Sequence, residues 1–120
     1  MIEMKRTILI AFAAMVSGEI WAADIPKVDV EANCSREGHA KWAVNMCINL
    51  EQEAYDRIRL LWDDLTPEAQ TAVLDKTSAN RTMTPTSVGF YRDFLGYVEI
   101  SIQQRRLKEE MTAPAPKFRY

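Results

Sequence analysis

The chain has 120 residues, 48% of them hydrophobic and 27% charged, a make-up that suits one globular domain and argues against disorder throughout. Its net charge of −2 supplies no field for nucleic acid or an anionic membrane. One histidine and two cysteines exclude a zinc finger, an iron–sulfur site or a c-type haem attachment built by this chain alone.

In chain order, residues 1–22 read as a secretory signal peptide. Lys5 and Arg6 precede the apolar run from Ile8 to Val16, Ser17 and Gly18 follow, and Ile20-Trp21-Ala22-Ala23 closes the segment. A basic start, a short apolar core and small residues at the end are the parts of an export signal. The apolar run is too short for a bilayer, which needs roughly 20 residues. Glu3 is unusual in such a start, and Met4 is a second candidate initiator. The cleavage site is imperfect: a cut after Ala22 puts Ile20 three residues before it and a cut after Ala23 puts the bulky Trp21 there, and cleavage after Ala22 is preferred. Cuts after Ala23 or Gly18 stay open as alternatives. An uncleaved anchor or a buried N-terminal helix is the competing reading. No cysteine sits just after the apolar run, so a bacterial lipoprotein is not indicated. Removing the segment takes away Glu3, Lys5, Arg6 and Glu19, so the net charge stays at −2. The remaining chain of about 98 residues is a small domain with a modest core.

Cys34 and Cys47 both lie in the remaining chain. An even count in an exported protein reads as one structural disulfide. A closed loop of this length stabilises the fold by about 3 kcal/mol in the chain-entropy model. The spacing is not the Cys-x-x-Cys of a catalytic dithiol. Free thiols and a redox pair are the alternatives.

From Asp24 to Lys27 the chain contains Pro26 and is expected to be an extended lead-in. Asp29 caps a short helix through about Arg36, with Glu31 in its first turn, and Gly38 ends it. One long helix is expected from His39 to about Asp64. Cys47, Leu50, Ala54, Ile58, Leu61 and Leu65 form its apolar stripe, with Glu51, Glu53, Asp56, Arg57 and Arg59 largely off it. Thr66-Pro67-Glu68 restarts a helix, with a threonine cap, a proline at the first position and an acid in the first turn. That helix carries Ala69, Ala72 and Val73 and ends near Ser78. Asn80 to Ser87 is a polar loop. The last helix runs from about Ser87 to Glu110, with Phe90, Phe94, Tyr97 or Val98, and Ser101 or Ile102 inward. Its charged end, Gln103 to Glu110, projects into water. No strand alternation and no internal repeat is present. The expected fold is all-α: three to four helices over residues 23–111, packed as a small antiparallel bundle or hairpin array, with one disulfide. Residues 112–120, with Pro114 and Pro116, form a flexible tail.

Asp29-Val30-Glu31, Cys34, Cys47, the run Glu51 to Arg57, Trp62, Pro67-Glu68 and the aromatic segment Tyr91 to Glu99 together resemble a group of small exported proteins of alphaproteobacteria. The resemblance covers about residues 28–100, and its motifs are moderately specific. Members of the group typically carry four cysteines. Here the third position falls near Val73 and the fourth at Tyr97, so this chain lacks the second pair. Tyr97 then fills the vacated space by packing. The resemblance implies a helical, disulfide-stapled exported protein and supplies no catalytic residue.

No constellation of residues points to an enzyme. His39 is the only histidine and reads as a solvated surface residue, and no Gly-x-Ser-x-Gly elbow is present. Asp63-Asp64 and Glu109-Glu110 are adjacent pairs, whose side chains diverge on a helix. No calcium-binding loop of EF-hand type exists. Arg105, Arg106 and Lys108 form a small basic cluster offset by the following acids. Asn33-Cys34-Ser35 and Asn80-Arg81-Thr82 match a glycosylation sequon that matters only in a eukaryotic secretory pathway.

The aromatics are the best binding candidates: Trp62, Phe90, Tyr91 and Phe94 first, with Trp42 and Tyr97 beside them. They either build the core or line a groove for a partner. The expectation is a periplasmic or secreted protein, without catalytic residues, metal or cofactor. It would bind a protein or peptide of the cell envelope, and not nucleic acid, and would keep no membrane span after cleavage. An envelope stress factor of holdase type is the alternative.

Overall fold

The computed structural model describes residues 21–120. The expected signal peptide thus lies outside the described residues, except for Trp21 and Ala22. Four helices follow in order: α1 (Val30–Ser35), α2 (Lys41–Trp62), α3 (Pro67–Ala79) and α4 (Phe90–Thr112). No strand occurs among the described residues.

Each helix start has a local cause. Asp29 caps α1, its carboxylate accepting from the Ala32 N–H at 3.0 Å. Gly38, at φ +67°, turns the chain toward α2. Thr66 caps α3 by accepting from the Ala69 N–H at 3.1 Å, with Pro67 in the first turn. These three signals sit where the sequence places them. The start of α4 does not. Ser87 is spent inside the preceding loop, on the Thr82 carbonyl and the Thr84 N–H. The cap position falls to Gly89, in the left-handed region at φ +78°, with no side chain to offer. The helix thus starts three residues later than expected, and it continues two residues past Glu110. Similarly, α2 begins at Lys41 rather than His39.

The contacts along α2 and α4 advance in the same sense. Glu51 meets Tyr91 and Arg92, Arg57 meets Glu99, and Asp64, just past α2, meets Arg105. The two long helices therefore run parallel, and α3 returns between them in sequence. Helix α4 packs on both α2 and α3, while α1 packs on α2. The Cys34–Cys47 disulfide joins α1 to α2 across 5.8 Å between Cα atoms.

The core consists of Ala54, Ile58 and Trp62 from α2, Leu65, Val73 from α3, Met83 from the loop, and Phe90, Tyr91, Phe94, Val98 and Ile102 from α4. The buried face of α2 keeps Ala54 and Ile58 of the expected stripe, with Leu65 just past the helix, but Glu51 and Trp62 take the places of Leu50 and Leu61. Glu51 is buried and Leu50 is exposed. The reason is that Glu51 has somewhere to put its charge: two backbone N–H groups of α4. A polarity count cannot register such a partner.

The segment before α1 has neither helix nor strand, and it is tied down. Trp62 Nε1 donates to the Ala23 carbonyl, Tyr91 Oη donates to the Pro26 carbonyl, and the Val28 N–H donates to Tyr91 Oη. Residues 23–28 thus form a strap over the core. The loop between α3 and α4 is clamped in turn by α1, where Asn33 Nδ2 donates to the Pro85 carbonyl and the Arg36 guanidinium to the Thr86 carbonyl. Every buried side-chain nitrogen and oxygen among the described residues has a partner, as a small, well-formed interior requires. The tail after Thr112 has no regular structure and is exposed.

Candidate functional site

The four aromatics singled out from the sequence converge in one place, and that place is the interior. Phe94 is fully buried, and Trp62, Phe90 and Tyr91 nearly so. Trp62 and Phe94 rings lie 5.6 Å apart, Phe90 and Phe94 6.1 Å, and Phe90 and Tyr91 5.5 Å. A domain this small needs its largest apolar side chains inside. Of the two readings the sequence left open for these four, core or groove, the structure puts them in the core. Tyr97 is half-buried, and its hydroxyl accepts from Asn80 Nδ2 at 2.9 Å. Val73, the other position where a cysteine pair would be expected, is buried.

The surface offers a different set. Trp42, Met46 and Leu50 are spaced four apart, which puts them on one face of α2. They are 70%, 55% and 47% exposed. Val88, 52% exposed, comes from the loop before α4. These four, with Ala43, Cys47, Gly89 and the side chains of Glu51 and Arg92, line a groove of about 230 Å³. The groove exists because the disulfide fixes the first half of α2 against α1, and α1 holds the loop that carries Val88. Arg92 is exposed at its edge. Glu51, at its floor, is occupied by the backbone of α4. The groove thus presents an apolar surface with one available positive charge. Of the aromatics considered from the sequence, only Trp42 belongs to it. The signal was present as a four-residue spacing but coincided with the edge of a stripe assigned to the core.

Of the other hollows along α2, two contain tyrosine or histidine side chains. One, of about 400 Å³, lies beside the strap and is lined by Lys27, Val28, Ile48, Gln52, Tyr55 and Tyr91 among others. Tyr55 and Tyr91 meet edge to face there at 4.8 Å. Burial pushes the Tyr91 hydroxyl above its ordinary range; the hydrogen bond from Val28 opposes this, and Tyr55 and Glu51 add to it. The second hollow, of about 300 Å³, opens over the disulfide and includes Glu37 and His39. His39 Nε2 lies 3.0 Å from Glu37 Oε2, with both side chains exposed. No group of three metal-binding side chains converges among the described residues, and no described helix is long and apolar enough to cross a membrane. Chemically, the groove offers apolar contact with one positive charge, Arg92, at its edge.

The chain matches no family model, no curated protein and no solved structure.

Proposed function

We propose that this is a small exported binding protein of the bacterial cell envelope. Its outer α2 face, Trp42, Met46 and Leu50 with Val88, receives an apolar segment of an envelope protein or peptide. One observation carries the reading: four large apolar side chains stand exposed side by side along a groove. Such clustering, as opposed to scattered exposed residues, marks an interaction surface. Arg92 at the groove edge favours a segment that also carries a carboxylate, since complementary charge sets orientation and register. The basic-apolar-small pattern of residues 1–22 and the resemblance to exported alphaproteobacterial proteins support the compartment. A disulfide between Cys34 and Cys47 is compatible with an oxidising one.

The test is in-cell photo-cross-linking from position 46 of the full chain. The expected result is a reproducible adduct with a discrete envelope protein, lost in the Trp42→Ala variant. No adduct above background would overturn the reading. Many unrelated adducts, multiplying on acidification, would instead indicate the holdase alternative.

A further inference from the structure

At Ala23 the chain passes from overhang to structure. Trp21 is 78% exposed and Ala22 is exposed as well. Ala23 makes two hydrogen bonds into the bundle. Its N–H donates to Gln70 Oε1 at 2.9 Å, and its carbonyl accepts from Trp62 Nε1 at 2.6 Å. Gln70 is 2% exposed. Its Nε2 donates to the Trp62 carbonyl at 3.0 Å, which fixes the amide so that the oxygen faces Ala23. A flipped amide would set an NH₂ against the Ala23 N–H and lose both bonds. The buried amide oxygen of Gln70 is therefore a seat for whatever nitrogen stands at position 23.

The three cleavage points compatible with the sequence have different consequences. A cut after Ala23 removes the residue that satisfies both Gln70 Oε1 and Trp62 Nε1, leaving two buried polar atoms without partners. A cut after Gly18 keeps the contacts but leaves Trp21 exposed on an overhang. A cut after Ala22 keeps every contact and removes the overhang. It also strengthens one bond, because the amide N–H at Ala23 becomes an α-amine. That amine has an ordinary pKa of about 7.7–8.0 and is charged at neutral pH. A charged donor makes a stronger hydrogen bond than an amide does.

We propose that the Ala22–Ala23 peptide bond is a processing site, and that the α-ammonium freed there is a structural group of the processed protein, seated on Gln70 Oε1. The inference rests on the export reading above. An endopeptidase of the export route hydrolyses the bond. Water gives its hydroxyl to the Ala22 carbonyl carbon and a proton to the Ala23 nitrogen as the C–N bond breaks, and the free amine takes a second proton from solvent. Processing and docking of the strap are thus coupled: the cut that releases the leader creates the charge that anchors the strap.

The experiment uses the full chain expressed in an exporting bacterial host. The N-terminus of the product is read by intact mass and terminal sequencing in each cell fraction. The folded product is then labelled with an amine-acylating reagent near neutral pH and mapped by peptide mass. The expected terminus is Ala23, with its amine labelled at least about tenfold more slowly in the folded than in the denatured protein, as for a group released only by local opening. In the Gln70→Leu variant that protection is lost. An exported product beginning at Glu19 or Asp24 would overturn the site while leaving export intact. A terminus at Ala23 that labels equally fast folded and unfolded would overturn the seat. A full-length product confined to the cytoplasm, in a host processing its own exported proteins, would overturn the export reading and this inference with it.

Discussion

Glu51, in the middle of α2, caps α4. Its Oε2 accepts from the Tyr91 N–H at 2.9 Å and its Oε1 from the Arg92 N–H at 3.3 Å, in the first turn of a helix whose own cap residue is Gly89. A helix start needs acceptors for its free N–H groups and favours negative charge. Here both come from another helix, 40 residues earlier in the chain. The same contact fixes the register of α2 against α4.

Replacing Glu51 therefore should cost more than a local cap does. Glu51→Gln keeps one acceptor and loses the charge, for an expected loss of about 1–2 kcal/mol. Glu51→Leu leaves both N–H groups without the carboxylate, for about 2–3 kcal/mol. Chemical denaturation at neutral pH measures both. Equal stability of Glu51→Leu and the parent would show that the cap contributes nothing.

Tyr91→Phe tests the strap. The Tyr91 hydroxyl holds both the Pro26 carbonyl and the Val28 N–H, so its removal is expected to cost about 1–3 kcal/mol. Its pKa is raised above the ordinary value of 10.0 by burial, with the Val28 hydrogen bond opposing and Tyr55 and Glu51 adding to the rise. The folded form thus holds this proton more tightly than the unfolded one. Stability from this source is full below the unfolded value and is lost as the pH rises through the folded one. Thermal melts should show an alkaline fall that begins near pH 10 and is smaller in Tyr91→Phe, as long as that variant folds at neutral pH.

Disulfide removal should act at a distance. Cys34→Ser with Cys47→Ser is expected to lose about 3 kcal/mol. It should also loosen the loop that Asn33 and Arg36 hold through the Pro85 and Thr86 carbonyls. Hydrogen exchange resolved by peptide should show faster exchange across residues 83–89 than in α3. Uniform acceleration everywhere would mean that the bond stabilises only the chain as a whole.

Core and groove should separate cleanly. Phe94 is fully buried, and Phe94→Ala is expected to cost about 3–5 kcal/mol. Trp42 is 70% exposed, and Trp42→Ala should change stability by no more than about 0.5 kcal/mol while abolishing the cross-link from position 46. A large loss of stability in Trp42→Ala would make it a structural residue and remove it from the binding face.

The sequence alone determined what short-range chemistry controls. Asp29, Gly38 and Thr66-Pro67 mark helix boundaries because caps and turns are settled within a few residues. The 3.6-residue period gave the helical class, and two cysteines allowed one disulfide. The tertiary structure decided what depends on contacts between distant residues. Glu51 is buried because α4 presents two N–H donors to it. Gly89 heads α4 because Ser87 is occupied in the loop. Phe90 and Phe94 are inside as their spacing on α4 predicts, but that Trp62 is buried and Trp42 exposed on the same helix is decided by what packs against each end of α2. The lead-in before α1 is a strap only because Trp62, Gln70 and Tyr91 meet it. Aromatic content and helical spacing read the same for a core and for a groove; only packing assigns each residue to one or the other.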